Sequence, residues 1–195
     1  MNKSGELSMN IIEAISTRRS VRTYTDEMIE REKLDELIKL GTLAASGSNM
    51  QPWGFVIMQG KEEIGKHDEP AKAALLAYLD KDSRFERYRK HAENPDYRIF
   101  HNASNMILIY GDGSRPFYIN DCTLAASNIM LAAHGMGMGT CWIGLAHGYF
   151  NSPEFKASQS VAEGYELVCA MTIGYPAEPV TKPAIRKDPI IFNRS

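Results

Sequence analysis

One α/β layered domain is what this sequence predicts, and three observations predict it. Apolar runs of strand length, at residues 55–58, 106–110, 140–143 and 166–173, alternate with stretches at helical spacing. No linker, internal repeat or low-complexity segment divides the 195 residues, a length that suits one sizeable core. The character changes only after Gly174, where Pro176, Pro179, Pro183 and Pro189 preclude a continuous helix or central strand.

Each element has its own reason. Residues 1–8 are polar and read as disordered, with no apolar signal-peptide core. Ile11, Ile12 and Ile15 form a short helical stripe that ends near Thr17. Arg18-Arg19-Ser20-Val21-Arg22 follows, and Val21 and Tyr24 favour an extended backbone there. Extension puts Ser20 and Arg22 on one side and Arg19 on the other. Alone, this stretch is equally a solvated basic turn or an anion site. Thr25 or Asp26 then offers an N-cap to an amphipathic helix carrying Ile29, Leu34, Leu37 and Ile38 as far as about Leu43. Small and polar residues from Ala44 to Trp53 break the periodicity, and Pro52 biases Gln51 away from the helical region.

After the first strand, residues 61–93 are highly charged, with helical pieces at about 71–80 and 84–92. They read as a surface excursion, with a mobile cover over a pocket as the alternative; Tyr78, Phe85 and Tyr88 give it an aromatic edge. The second strand ends at the turn Gly111-Asp112-Gly113-Ser114. A helix from about 118 to 134 is apolar on most sides, so it is buried centrally or at a subunit interface. Gly135-Met136-Gly137-Met138-Gly139 leaves a helix and enters a strand. A dinucleotide fingerprint runs the other way, so the run is a helix cap and tight turn. Pro153 starts a short helix through Ala157. The proline-rich tail carries Ile190-Ile191-Phe192, an apolar tip suited to wrapping over another surface.

Composition excludes several classes. A hydrophobic fraction of 44% and a charged fraction of 24% fit a soluble globular protein. A net charge of -2 gives no basic field for nucleic acid. No run of about 18 apolar residues marks a membrane span. Cys122, Cys141 and Cys169 lack zinc or iron–sulfur spacing and read as reduced thiols in a cytoplasmic protein. The five histidines are scattered, so no metal is expected.

Four stretches taken together carry a resemblance over nearly the whole chain, from about residue 11 to 192. They are Arg18-Arg19-Ser20-Val21-Arg22, the loop Ala45-Ser46-Gly47-Ser48-Asn49-Met50-Gln51-Pro52-Trp53, the segment Gly137-Met138-Gly139-Thr140-Cys141-Trp142-Ile143-Gly144, and Gly174-Tyr175-Pro176. In this order and spacing they resemble the nitroreductase family of FMN-dependent oxidoreductases. Two prolines usual in that family are absent: Ala45 precedes Ser46, and Ser104 follows Ala103, where Ala-Pro is common. Losing a proline leaves the loop at Ala45 less pre-organised.

The resemblance implies an α+β fold with a mostly antiparallel or mixed sheet flanked by helices. It also implies a homodimer with FMN between subunits and a C-terminal arm, residues 175–195, that crosses to the partner. Arg18, Ser20 and Arg22 would meet FMN from one subunit with Arg19 nearby. Arg22 would face the N1/O2 edge, and Arg18 and Arg19 the phosphate or ribityl oxygens. Each such charge-assisted contact is worth about 1.5–3 kcal/mol. Ser46, Gly47, Ser48, Asn49 and Gln51 would come from the other subunit, with Gly47 allowing close backbone approach. Ile143 and Gly144 would present backbone N–H groups to N5 and O4, while Trp142 reads as core. Arg186 and Lys187 would reach the phosphate.

No catalytic side chain is implied, because the flavin carries the chemistry. NADH or NADPH would give a hydride and leave before a nitroaromatic, quinone or similar acceptor enters, a ping-pong scheme. Two alternatives stay open. One is an FMN enzyme of this fold with other chemistry, such as reductive dehalogenation, enoate reduction or flavin fragmentation. The other is a non-catalytic FMN-binding protein.

Overall fold

The apolar run at residues 106–110 becomes the middle of the central sheet. The computed structural model describes residues 9–179 and 185–193, so the expectation for residues 1–8 lies outside them. Four strands, β1 (Trp53–Gln59), β2 (Asn105–Asp112), β3 (Gly139–Trp142) and β4 (Tyr165–Gly174), lie in the order β1-β2-β4-β3. Every pairing is antiparallel, with Val56 opposite Leu108, Leu108 opposite Ala170 and Cys141 opposite Thr172. Among the described residues the parallel component is one isolated bridge, Ser20 to Thr140.

The helices follow as α1 (Ile11–Thr17), α2 (Arg31–Gly41), α3 (Lys61–Gly65), α4 (Asp68–Leu79), α5 (Arg89–Glu93), α6 (Tyr118–Gly135), α7 (His147–Phe150) and α8 (Pro153–Ser158). Strand alternation splits the core into two layers. Met106, Leu108 and Tyr110 face Ile64, Phe100, Phe150 and Phe155. Ile107 and Ile109 face Leu34, Leu37, Ala126 and Ile129 of α2 and α6. Because both faces are covered, β2 reads as an unbroken apolar run rather than an alternating one.

Two boundaries depart from expectation. Residues 25–30 are not helical: α2 begins at Arg31, and Glu30 is extended with no side-chain cap. Ile29 is buried before the helix starts, and its carbonyl accepts from Gln59 Nε2 at 2.9 Å. The apolar spacing therefore continued past the true helix start because Ile29 reaches the core from extended chain. The excursion also breaks into more pieces, with a 3-10 turn at Ser83–Tyr88 between α4 and α5.

The glycine run behaves as its position requires. α6 ends at Gly135, Gly137 takes φ +78, and β3 starts at Gly139. Among the described residues no helix is long and apolar enough to cross a membrane.

Candidate functional site

Residues 20–24 are strapped across the ends of β3 and β4. The Val21 N–H donates to the Thr140 carbonyl at 3.0 Å. Val21 is buried against Gly139, where a Cβ would stand 2.7 Å from the Val21 Cβ. Only glycine leaves room for this approach. The Tyr24 hydroxyl donates to the Val21 carbonyl at 2.7 Å and meets Thr172 Oγ1 at 2.9 Å. Burial holds that phenol well above its usual pKa, so it stays a neutral hydrogen-bonding anchor. With Val21 turned inward, Ser20 and Arg22 are exposed on the other side, as extended geometry requires.

A basic cluster lies at the start of the strap. Arg18 and Arg19 are half-buried, and Arg19 Nη1 donates to the Ser16 and Arg18 carbonyls at 2.9 and 2.7 Å. The Arg18 pKa is lowered first by burial, then by the charges of Arg186 and Arg19. Arg186, from the exposed tail, thus comes near the same place, with exposed Lys187 next in sequence. A bound anion would relieve this like-charge crowding.

Arg22 opens onto a cleft of about 770 Å3. Ile143, Gly144, Leu167 and Ala170 form its floor at the sheet, and Tyr78, Phe85, Tyr88 and Tyr97 form aromatic walls. The excursion is therefore more than a surface feature, because its aromatic edge lines the cleft. Trp142 is likewise a cleft residue at 37% exposure, not core. Strand alternation explains this: Cys141 points into the protein, so Trp142 points out. Tyr97 and His101 were not singled out from sequence. His101 sits at φ 56, with Asn102 at φ 51, a left-handed pair that no sequence signal announces. Burial, then the Arg22 charge, pushes the His101 pKa down to about 4, so its imidazole is neutral.

The Ile143 N–H is not available to a cofactor. It donates to the Ala170 carbonyl at 2.8 Å, continuing the β3–β4 ladder beyond Trp142. Of the expected pair of backbone donors, Gly144 alone remains a candidate.

The loop at residues 46–51 lies elsewhere. The Gly47 N–H donates to both oxygens of the buried Asp121 carboxylate, at 3.1 and 3.2 Å. That glycine faces its own α6. Ser46 Oγ accepts from the Gln51 N–H at 3.2 Å, and Gln51 Nε2 donates to Asn49 Oδ1 at 3.0 Å. Ser48, Asn49 and Gln51 hold φ of 51, 55 and 48, and all three are exposed. Non-glycine residues there cost on the order of 1–3 kcal/mol each, a strain that gathers at binding sites.

One chain does not bring its two polar halves together. Thr17, beside the basic cluster, meets His134 at 2.8 Å in the last turn of α6. Gly47 is tied to Asp121 in its first turn. Thirteen helical positions separate these anchors, about 20 Å at 1.5 Å per residue. No residue of the loop lines the cleft.

An antiparallel sheet covered on both faces thus carries a basic strap at one edge, beside an aromatic cleft. The comparisons supply the family. The family model described as "Nitroreductase family" matches residues 15–175, and the chain belongs to that family. A relative named "FMN reductase (NADPH)", from Bacillus subtilis, is 28% identical over 69% of this chain and 54% of its own length. A relative named "4-nitrobenzoate reductase", from Pseudomonas putida, is 25% identical over 88% of each chain. A nitroreductase with bound FMN from Desulfitobacterium hafniense superposes with a TM-score of 0.77. It is 26% identical and covers 95% of this chain and 100% of its own.

Proposed function

We propose that two copies of this chain, each a single domain, hold FMN at their interface and form an FMN-dependent NAD(P)H oxidoreductase of the nitroreductase type. The observation that carries the proposal is the placement of two incomplete polar half-sites at opposite ends of α6. A two-fold axis across two antiparallel α6 helices would set the loop of one copy beside the strap of the other. Apolar surface supports that axis: Ile12 of α1 is 71% exposed, Ile119 of α6 55%, and Phe192 of the tail 97%. Exposed apolar area on this scale favours a partner surface. The tail would cross to that partner.

The residues fit FMN. Arg18, Arg19, Arg186 and Lys187 suit a phosphate, and Arg22 suits the electron-rich pyrimidine edge at the cleft. Ser46, Ser48, Asn49 and Gln51 of the second copy suit the ribityl hydroxyls. The Gly144 N–H suits an acceptor on the ring edge. When bound, FMN supplies the redox chemistry, taking a hydride from NADH or NADPH and passing it to a nitroaromatic, quinone or similar acceptor. The chain orients and shields. The aromatic walls exclude water, and neutral His101 adds no charge beside Arg22. Three buried free thiols favour a reducing compartment, the cytoplasm.

The purified protein should be yellow, release about one FMN per chain, and oxidise NAD(P)H with a nitroaromatic acceptor. Arg22→Ala should lower FMN affinity about tenfold or more, as loss of a charge-assisted contact does. Arg31→Ala, which removes an exposed helix pair with Asp35, should change it little. A colourless protein that ignores added FMN, or equal effects of the two variants, would reject the proposal.

A further inference from the structure

A buried cation lies behind the cleft wall. Lys72, in the middle of α4, is 3% exposed. Its Nζ donates to the Asn94 carbonyl at 3.1 Å and the Tyr97 carbonyl at 3.4 Å, and pairs with Glu69 Oε1 at 2.6 Å. An ammonium has three donors, and all three find oxygen here. Leaving a lysine in such a place without partners would be costly.

Both carbonyls belong to one turn. The Tyr97 N–H donates back to the Asn94 carbonyl at 3.2 Å, and Asn94 Oδ1 accepts from the Asp96 N–H at 2.9 Å. Lys72 therefore closes a loop that contains Ser83–Tyr88 and α5. From that loop come Phe85, Tyr88 and His91 of the cleft wall. Tyr97, at the pinned turn, stands edge-on between His91 at 5.2 Å and His101 at 6.4 Å. The other ties of the loop are weak. Arg84–Asp82 and Arg89–Glu86 are local ion pairs, and Arg89–Asp80, at 2.9 Å, joins α5 to the end of α4; each has a partner open to solvent, where such pairs contribute little. The apolar anchor is small: Leu75, Leu79 and Ala92 with Leu76 and Leu145 against them.

We infer that Lys72 is a positioning residue for the acceptor. It fixes the turn at residues 94–97, and through it the Tyr97 wall, so that the cleft accepts aromatic molecules of one thickness and orientation. Lys72 touches neither cofactor nor acceptor. The inference rests on the oxidoreductase reading above and adds a determinant of acceptor binding to it.

Lys72→Met keeps the length and apolar stem and removes the three donors. Two readouts separate positioning from general stability. Hydrogen exchange of the purified protein should rise about tenfold or more across residues 81–97, with β2 and α6 unchanged. In turnover, KM for menadione or 4-nitrobenzoate should rise about tenfold, within the range for losing charge-assisted hydrogen bonds. Ferricyanide, which takes electrons without lying between the walls, should be reduced within about twofold of the wild-type rate. Tyr97→Ala should raise KM for the same aromatic acceptors, and the double variant should lose less than the product of the singles. If Lys72→Met does not fold, Lys72→Gln, which keeps an amide donor but loses the charge, is read by the same exchange and KM measurements.

Unchanged exchange at residues 81–97 overturns the inference, as does a parallel loss with aromatic acceptors and ferricyanide. A wild-type protein that fails to oxidise NAD(P)H with any of these acceptors defeats the oxidoreductase reading instead, and the exchange result then stands apart.

Discussion

Gly139→Ala tests whether the basic strap is seated by β3. The two outer glycines of Gly135-Met136-Gly137-Met138-Gly139 have opposite surroundings. A Cβ at Gly135 meets nothing within 4 Å, whereas one at Gly139 stands 2.7 Å from Val21 Cβ and 3.0 Å from Val21 Cγ1. Carbon atoms are comfortable from about 3.5 Å and Val21 Cγ2 stands closer still, so Val21 must retreat by roughly 1 Å. Overpacking of this kind costs about 1–3 kcal/mol. At about 2–4 °C per kcal/mol for a chain of this size, Tm should fall by about 6 °C. Gly135→Ala, at the open end of α6, should gain about 0.4–1 kcal/mol and melt slightly higher. Because Val21 lies between Ser20 and Arg22, Gly139→Ala should also weaken FMN binding by about tenfold, and Gly135→Ala should not. Circular-dichroism melts of apoprotein and flavin-fluorescence titrations read both effects. Adding Val21→Ala should recover part of each loss. If the two glycine variants melt alike and bind FMN alike, the strap does not ride on β3 and the reasoning fails.

Other outcomes follow from the same geometry. Ser48→Gly relieves a left-handed φ and should raise Tm by a few degrees, about 1 kcal/mol, while FMN binding weakens; a lower Tm would contradict the strain assignment. Cys122, Cys141 and Cys169 are buried, and burial pushes the Cys122 thiol up to about 12. A colourimetric disulfide reagent at pH 8 should find no reactive thiol in the folded protein and three per chain after denaturation. The His101 pKa is depressed from 6.5 to about 4. Between those values the unfolded chain binds a proton that the folded chain refuses, so stability falls as pH drops through that window. His101→Gln should flatten the Tm decline from pH 7 to 5, and a parallel decline would show that His101 has no share in it.

The layered fold was legible because its signals are local. Met106 to Tyr110 is apolar on both faces, and α6 is apolar on most sides, so each announces burial without knowledge of its neighbours. The order of the strands was not legible, because pairing β2 with β4 depends on contacts some 60 residues apart in the chain. Site residues divide in the same way. Arg18 to Arg22 and Ser46 to Gln51 stood out by composition and order. Trp142 did not, since its exposure is set by the partner strand that turns Cys141 inward. The Ile143 N–H is taken by the Ala170 carbonyl, a cross-strand contact that no local pattern announces. The aromatic edge at Tyr78, Phe85 and Tyr88 was visible as a pattern. Its direction depends on tertiary ties such as Lys72 to Asn94, which sequence spacing does not encode.

On the proposed dimer each cofactor site is shared between two copies of the chain. Mixing two inactive variants tests it most directly. An Arg22→Ala chain lacks a strap residue, and a Ser46→Ala/Asn49→Ala chain lacks loop residues. Each alone should form dimers with two damaged sites. Co-refolded in equal amounts, half of the dimers are mixed and each mixed dimer has one intact site, so about a quarter of wild-type FMN binding and NAD(P)H oxidation should return. A mixture no better than its parents would contradict the account.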